Sequence, residues 1–74
     1  MKNTSAIKVE GIVEEALPGL LFRVTLRTKE GQKQILAHLG GKMKIHKIRI
    51  VAGDTVAVEM SNINDIRGRI IRRF

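Results

Sequence analysis

Four cationic residues lie within eight positions near the middle of the chain, and their spacing suggests phosphate binding. They are Lys42, Lys44, Lys47 and Arg49. No acidic residue occurs between Glu30 and Asp54, and apolar residues such as Met43 and Ile48 are interleaved with the cations. Apolar residues of this kind can fix a basic segment on a core, and positive charge held in place is what binding to phosphate groups requires. The alternative is an ordinary solvated basic loop.

A second basic cluster lies near the C-terminal end. It consists of Arg67, Arg69, Arg72 and Arg73. The formal net charge is +7, of which +1 belongs to residues 1–31 and +6 to residues 32–74. So uneven a distribution predicts one surface that faces a polyanion, and nucleic acid is the first candidate. A membrane surface is the second, but it would require a basic amphipathic helix or a lipid anchor, and the sequence has neither pattern.

Aromatic residues are scarce, which limits the kind of nucleic acid that the chain could bind. Phe22 and Phe74 are the only two. The alternation of residues around Phe22 predicts that its ring is buried, and Phe74 at the terminus is expected to fray. Proteins that bind single strands usually stack bases on several exposed rings. The sequence therefore favours recognition of the backbone and shape of structured RNA.

The remaining polar residues form no recognisable catalytic or metal site. His38 and His46 are eight positions apart, without a neighbouring acid or cysteine, and match no metal-ligand spacing. Glu14 and Glu15 are adjacent, but strand alternation would point them in opposite directions. There is no nucleophile arrangement and no phosphate-binding loop. We therefore expect a binding protein that is not an enzyme and needs no cofactor or metal, in which His38 either contacts RNA or is merely solvated.

The length and composition predict a single small domain over residues 1–74, with residues 1–5 as a flexible tail. A hydrophobic content of 43% is ample for a globular core. The chain has no cysteine, so disulfide bonds cannot stabilise it. No apolar run approaches the ~20 residues of a transmembrane helix, and the first residues lack the pattern of a signal peptide. We expect a soluble cytoplasmic protein that is monomeric when free.

A period of two in the apolar residues predicts five strands. They cover residues 7–14, 20–27, 33–39, 55–60 and 68–73. Gly11, inside the first strand, is expected to mark a bulge or a bend. Residues 42–48 lack this period and could form one or two helical turns at most, held on the core by Met43 and Ile48.

This arrangement predicts an all-β fold, a five-stranded OB-fold barrel with a short helical or irregular segment between strands 3 and 4. An SH3-like barrel is the alternative, because strand count alone does not settle the topology. In the OB-fold the segment after the third strand and the last strand can be neighbours. The two basic clusters could therefore converge on one face.

Several motifs occur in order along the chain. They are Leu17-Pro18 with Phe22-Arg23-Val24, Ala37-His38-Leu39-Gly40-Gly41-Lys42-Met43, Ile48-Arg49-Ile50-Val51-Ala52-Gly53-Asp54, and Gly68-Arg69-Ile70. Together they resemble bacterial-type translation initiation factor one, an S1-like OB-fold family, and the resemblance covers nearly the whole chain. Position 47 departs from the family pattern, since it is lysine where the family often has tyrosine.

The resemblance implies a translation initiation factor that binds the small ribosomal subunit at the aminoacyl-tRNA (decoding) site. There it would contact ribosomal RNA and a neighbouring ribosomal protein, block premature tRNA entry and assist the other initiation factors. It further implies a bacterial cytoplasmic protein, or one of the plastid stroma if the gene is plastid-encoded. The residues expected to bind RNA are Arg23, His38, Lys42, Lys44, Lys47, Arg49, Arg67, Arg69, Arg72 and Arg73.

Two other functions fit the same charge distribution. A general S1-like or cold-shock-like RNA-binding chaperone would bind any unstructured RNA with comparable affinity, although the shortage of aromatic residues counts against it. A structural protein that docks on an acidic protein would keep its binding after nuclease treatment. Association with any of these partners should slow as the salt concentration rises.

Overall fold

The structure is a computed structural model that describes residues 7–62 and 64–74. Its elements are β1 (Ile7–Leu17), β2 (Leu21–Thr28), β3 (Gly31–Leu39), α1 (Gly41–Ile45), β4 (Thr55–Met60) and β5 (Arg67–Arg73). The predicted tail, residues 1–5, lies outside the described residues. The five predicted strands and the short helical segment are confirmed, with differences at their ends.

The five strands form a closed barrel in the order β1-β2-β3-β5-β4. β1, β2 and β3 are an antiparallel meander, β3 pairs in parallel with β5 over residues 36–39 and 67–70, and β4 closes the barrel against β1. This Greek-key pairing is that of the OB-fold, which confirms the predicted fold class and sets the SH3-like alternative aside.

Inward-facing residues of all five strands, together with Met43 of α1 and Ile50, form one core. Val24, Leu26, Val56, Val58 and Ile70 are completely buried. The alternation in the sequence predicted this set correctly for β2 to β5. Ile7 and Val9 at the start of β1 are only partly buried against the core.

β1 ends at Leu17, three residues beyond the predicted end. A bulge interrupts the alternation of buried and exposed residues after Val13, so the period of two did not reveal the end of the strand. The β1–β2 register shifts between Val13 and Glu15, and Glu14, Glu15 and Ala16 are all exposed. The bulge therefore lies after Val13 and not at Gly11, where the sequence predicted a bulge or a bend. Gly11 instead allows close approach of two strands, since a Cβ atom there would lie 2.7 Å from Cγ1 of Val24.

The β2–β3 hairpin has a tight turn at residues 29–30, and pairing continues to its end, where Thr28 faces Gly31. Gly31 has φ 121°, which favours glycine, and the Thr28 hydroxyl donates to its carbonyl over 2.7 Å. β3 consequently begins at Gly31, two residues before the predicted start. Its first residues are polar and exposed, so apolar alternation did not reveal them.

α1 is a single turn that ends in a Schellman motif. The amide of Ile48 donates to the Met43 carbonyl over 3.1 Å, and the amide of Lys47 donates to the Lys44 carbonyl over 3.1 Å. Lys47 has φ 53°, the left-handed conformation in which glycine or asparagine is usual at this position. The motif stops the helix and directs the chain back to the barrel, where Ile48 is half-buried and Ile50 is buried.

Candidate nucleic-acid interface

α1 and β5 bring residues of the two basic clusters onto one surface. The amide of Gly40 donates to the Ile70 carbonyl over 2.8 Å, which holds the start of α1 beside β5. Lys42 of α1 and Arg69 of β5 consequently line the same depression, together with Glu59 of β4. The sequence-based expectation that the clusters could converge is confirmed for this pair.

A second depression adjoins the first and shares two of its residues. It is lined by His38, Glu59, Met60, Ser61, Arg67, Gly68 and Arg69. His38 of β3 and Arg69 of β5 are partners in the parallel pairing, and both are exposed. We call the surface formed by His38, Lys42, Glu59, Arg67 and Arg69 the β5 face.

The β5 face contains one carboxylate that sequence reasoning did not select. Glu59 and Arg69 are partners in the antiparallel β4–β5 register, and their side chains form an ion pair. The Glu59 side chain is 24% exposed and that of Arg69 is 50% exposed. Alternation between Val58 and Met60 could have placed Glu59 on the outside of β4. Only the strand register reveals that its partner is Arg69.

The other cations of α1 and its following segment line an apolar cleft at the end of the barrel. The floor consists of Leu20, Phe22, Leu39, Met43, Ile48 and Ile50, and the cations beside it are Lys44, Lys47 and Arg49. We call this the α1 cleft. Phe22 is buried, as predicted, so its ring offers no open stacking surface.

The last residues of the chain are attached to the barrel. The guanidinium of Arg73 donates to the Arg49 carbonyl over 3.0 Å, which links β5 to the edge of the α1 cleft. The amide of Phe74 donates to the Thr55 carbonyl over 2.9 Å, and the Arg72 guanidinium lies 5.2 Å from the centre of the Phe74 ring. The prediction that Phe74 frays is therefore wrong, because a backbone bond and a cation–π contact hold it.

Arg23 lies one strand away from the β5 face, since Arg23 and Arg67 pair with Leu36 of β3 from opposite sides. It projects from β2, where its guanidinium donates to the Glu15 carboxylate over 2.6 Å. It lines a separate depression with Gln34, Ile35, Leu36 and Ile66. In the strand order, β3 separates β2 from β5, so Arg23 does not belong to the β5 face as defined above.

The electrostatic character of the surface changes around the barrel. Arg67, Arg69 and Lys42 are exposed on the β5 face, whereas Glu10 and Glu14 are exposed on β1. Within residues 7–62 and 64–74, no group of three or more histidine, cysteine or acidic residues could hold a metal ion. None of the helices described is long and apolar enough to cross a membrane. The chemistry available on the β5 face is charge-assisted hydrogen bonding to phosphate and to polar RNA groups.

A closed Greek-key barrel that gathers cations from β5 and α1 on its outer face defines a protein of the OB-fold nucleic-acid-binding class. A comparison with protein families specifies the family. The model described as "Translation initiation factor 1A / IF-1" matches residues 1–74. The chain therefore belongs to the translation initiation factor 1A / IF-1 family, a family of RNA-binding proteins that are not enzymes.

Two solved structures align with nearly the whole chain. The solution structure of translation initiation factor one from the Wolbachia endosymbiont strain TRS of Brugia malayi aligns with a TM-score of 0.72 and 43% identity, covering 99% of this chain and 83% of that chain. The crystal structure of YjeQ from Thermotoga maritima aligns with a TM-score of 0.65 and 25% identity, covering 92% of this chain and 23% of that chain. The similarity to YjeQ thus concerns a small part of a longer protein. The resemblance found in the sequence is confirmed, and this chain is a translation initiation factor.

Proposed function

We propose that this initiation factor binds the small ribosomal subunit at the aminoacyl-tRNA (decoding) site. By occupying this site it blocks premature tRNA entry and assists the other initiation factors. Ribosomal RNA and a neighbouring ribosomal protein are its partners on the subunit, and it acts as a cytoplasmic monomer when free. Cells of a bacterium or the stroma of a plastid are the compartments that fit a factor of this type.

The observation that carries the proposal is the convergence of Lys42, Arg67 and Arg69 on the β5 face. Lys42 is far in the sequence from Arg67 and Arg69, and the bond from the Gly40 amide to the Ile70 carbonyl holds α1 beside β5. Fixed cations favour a structured phosphate backbone, because the RNA and the protein then lose little conformational freedom on binding. Membership in the initiation-factor family points to ribosomal RNA as that structure.

The cations of the α1 cleft extend the proposed RNA-binding surface. Lys44, Lys47 and Arg49 follow Lys42 within the same segment, and the Schellman motif and the buried Ile50 fix its course. His38 contributes a hydrogen-bonding group beside Arg69. Arg72 and Arg73 continue along β5, and Arg23 forms an outlying contact if the RNA extends past β3.

The test is binding of the labelled protein to purified small ribosomal subunits in the presence of excess unstructured RNA. We expect saturable binding at one site, which bulk RNA does not remove and which an aminoglycoside-type ligand of the decoding site displaces. Binding that bulk RNA competes away in proportion to its phosphate content would contradict the proposal. That result would instead indicate a general RNA-binding chaperone on the same barrel.

A further inference from the structure

Glu59 occupies an unexpected place for an acidic residue, at the centre of a basic surface. It lines both depressions of the β5 face, and within the described part of the chain it is the one carboxylate that lines either of them. Its carboxylate pairs with Arg69 of β5, and its backbone neighbour on the other side is Lys8 of β1. A phosphate that approaches Arg69 or Lys42 therefore also approaches a negative charge.

Stability alone does not account for a carboxylate at this place. Arg69 is half exposed, and ion pairs at the surface contribute little to folding, because water and salt screen them. The barrel has a second pair of the same kind, between Glu15 and Arg23, away from the β5 face. The position of Glu59 matters for binding because it determines what Arg69 offers to an incoming RNA.

A carboxylate among cations discriminates between RNA surfaces. Unstructured RNA carries the same 2′-hydroxyl donors but does not hold them in fixed positions, while its phosphates are repelled by Glu59 and must compete with Glu59 for Arg69. A folded RNA surface of fixed shape can place a 2′-hydroxyl or a base amino group, both donors, against the carboxylate while its phosphates contact the surrounding cations. Glu59 would repel the phosphates of unstructured RNA and would accept a hydrogen bond from the folded RNA surface. Together these two effects produce specificity.

We propose that Glu59 is a specificity-determining residue, which weakens binding to phosphate backbone in general and favours a structured RNA surface that donates a hydrogen bond to it. This inference rests on the proposed function, since it takes the RNA of the small subunit as the favoured surface. It gives Glu59 a role in binding although its charge is opposite to that of the cations of the β5 face.

The test compares Glu59→Gln with Glu30→Gln, a control that makes the same charge change at an exposed glutamate at the tip of the β2–β3 hairpin, outside the β5 face. Two probes are used, polyuridylate as unstructured RNA and purified small ribosomal subunits. For Glu59→Gln we expect polyuridylate binding to tighten on the order of fivefold, the effect of removing one nearby unit charge in water. Its log–log salt slope should steepen by about 0.7, the value for one more phosphate contact on a single strand.

Binding to the subunits should not tighten in Glu59→Gln, so the ratio of subunit affinity to polyuridylate affinity should fall. Glu30→Gln should leave this ratio near that of the wild type. Equal effects of Glu59→Gln and Glu30→Gln would overturn the proposal, because only net charge would then matter. Weaker binding of Glu59→Gln to both probes would also overturn it, since Glu59 would then merely position Arg69.

Thermal unfolding of each variant verifies that it is folded, and Glu59→Ala, which also removes the charge, provides a second reading if Glu59→Gln is not. Failure of the proposed function has a different signature. In that case the wild-type protein would show no saturable binding to the subunit. A comparison of the polyuridylate affinities of the wild type and of Glu59→Gln would still show how Glu59 affects binding to RNA in general.

Discussion

Arg69 is the residue that links the parts of the β5 face. It is paired with Glu59, adjacent to His38 in the strand pairing, and lines the same depression as Lys42. Its side chain nevertheless stays half exposed, so its guanidinium keeps donors that an RNA can reach. The proposed function thus predicts that a single substitution of Arg69, or of Lys42, measurably weakens binding to the subunit.

Replacement of Arg69 or Lys42 by alanine should weaken binding to the small subunit by roughly three- to tenfold at physiological salt, because one phosphate contact is lost. Lys29→Ala is the matched control, since Lys29 is exposed at the tip of the β2–β3 hairpin. Equilibrium binding of the three variants measures the effect. If Arg69→Ala and Lys29→Ala bind equally well, the β5 face is not the RNA contact.

A substitution of Ile35 tests whether the predicted core is correct. Its side chain is 2% exposed, so Ile35→Ala leaves a cavity and should lower the free energy of unfolding by about 2–4 kcal/mol. Urea unfolding measures this, with Ile45→Ala as the control because Ile45 is 76% exposed. A wild-type unfolding midpoint for Ile35→Ala would contradict the register of β3.

Two elements, α1 and β5, decide whether the basic clusters share a surface. β5 must lie close enough to β4 and β3 to bury its backbone, and Gly68 makes this possible. A Cβ atom at position 68 would lie 2.5 Å from Cγ1 of Val58. At Gly41, in the first turn of α1, a Cβ atom would meet nothing within 4 Å.

Because of these surroundings, we expect Gly68→Ala and Gly41→Ala to change the stability of the protein differently. Gly68→Ala should destabilise the protein by about 1–3 kcal/mol, since the added methyl group overfills the space beside Val58. Gly41→Ala should be neutral or slightly stabilising, because alanine has the better helix propensity and the space is open. Thermal unfolding of both variants is the measurement. Equal unfolding temperatures would mean that β5 does not pack as closely on β4 as described.

Lys47 is both a cation and the left-handed residue that ends α1. Lys47→Gly should stabilise the protein by up to ~1 kcal/mol, because glycine adopts this conformation without the steric cost of a Cβ atom. The same change should weaken subunit binding, since one cation of the α1 cleft is lost. Chemical unfolding and subunit binding, measured on one preparation, separate the two effects. A loss of stability would show that the lysine side chain stabilises this turn by its own contacts.

At the scale of the whole molecule, the charge is unevenly distributed around the barrel. Six cations line the β5 face and the α1 cleft, whereas Glu10 and Glu14 are exposed on β1. Such a molecule orients in the field of a polyanion before contact. Under the proposed function, this orientation would bring the cationic side to the RNA before contact.

The salt dependence of subunit binding reports how many of these cations are used. If about four to six phosphates are contacted, the logarithm of the association constant should fall against the logarithm of salt concentration with a slope of about −3 to −5. A titration from low to physiological salt measures the slope. A slope near zero would mean that phosphate contacts do not hold the factor on the subunit.

The sequence by itself determined the strands and the class of partner. Alternation around Val24, Ile35 and Val58 predicted the core, because burial on one face of a strand demands a period of two. The positive charge of the second half of the chain predicted a polyanion, and the motifs around Gly41 and Gly53 predicted the family. Each of these signals depends on residues that are near one another in the sequence or on the sum of their charges, so it can be recognised without knowledge of the fold.

Only the tertiary structure decided which charged residues meet. Arg23 and Arg69 are equally plausible RNA contacts in the sequence, but strand order separates them and register gives each a different carboxylate. The bulge in β1, the pairing of Glu59 with Arg69 and the attachment of Phe74 to Thr55 could not be seen in the sequence either. The physical reason is the same for all of them. They depend on pairing between segments distant along the chain, and neither periodicity nor composition encodes which residue faces which across a barrel.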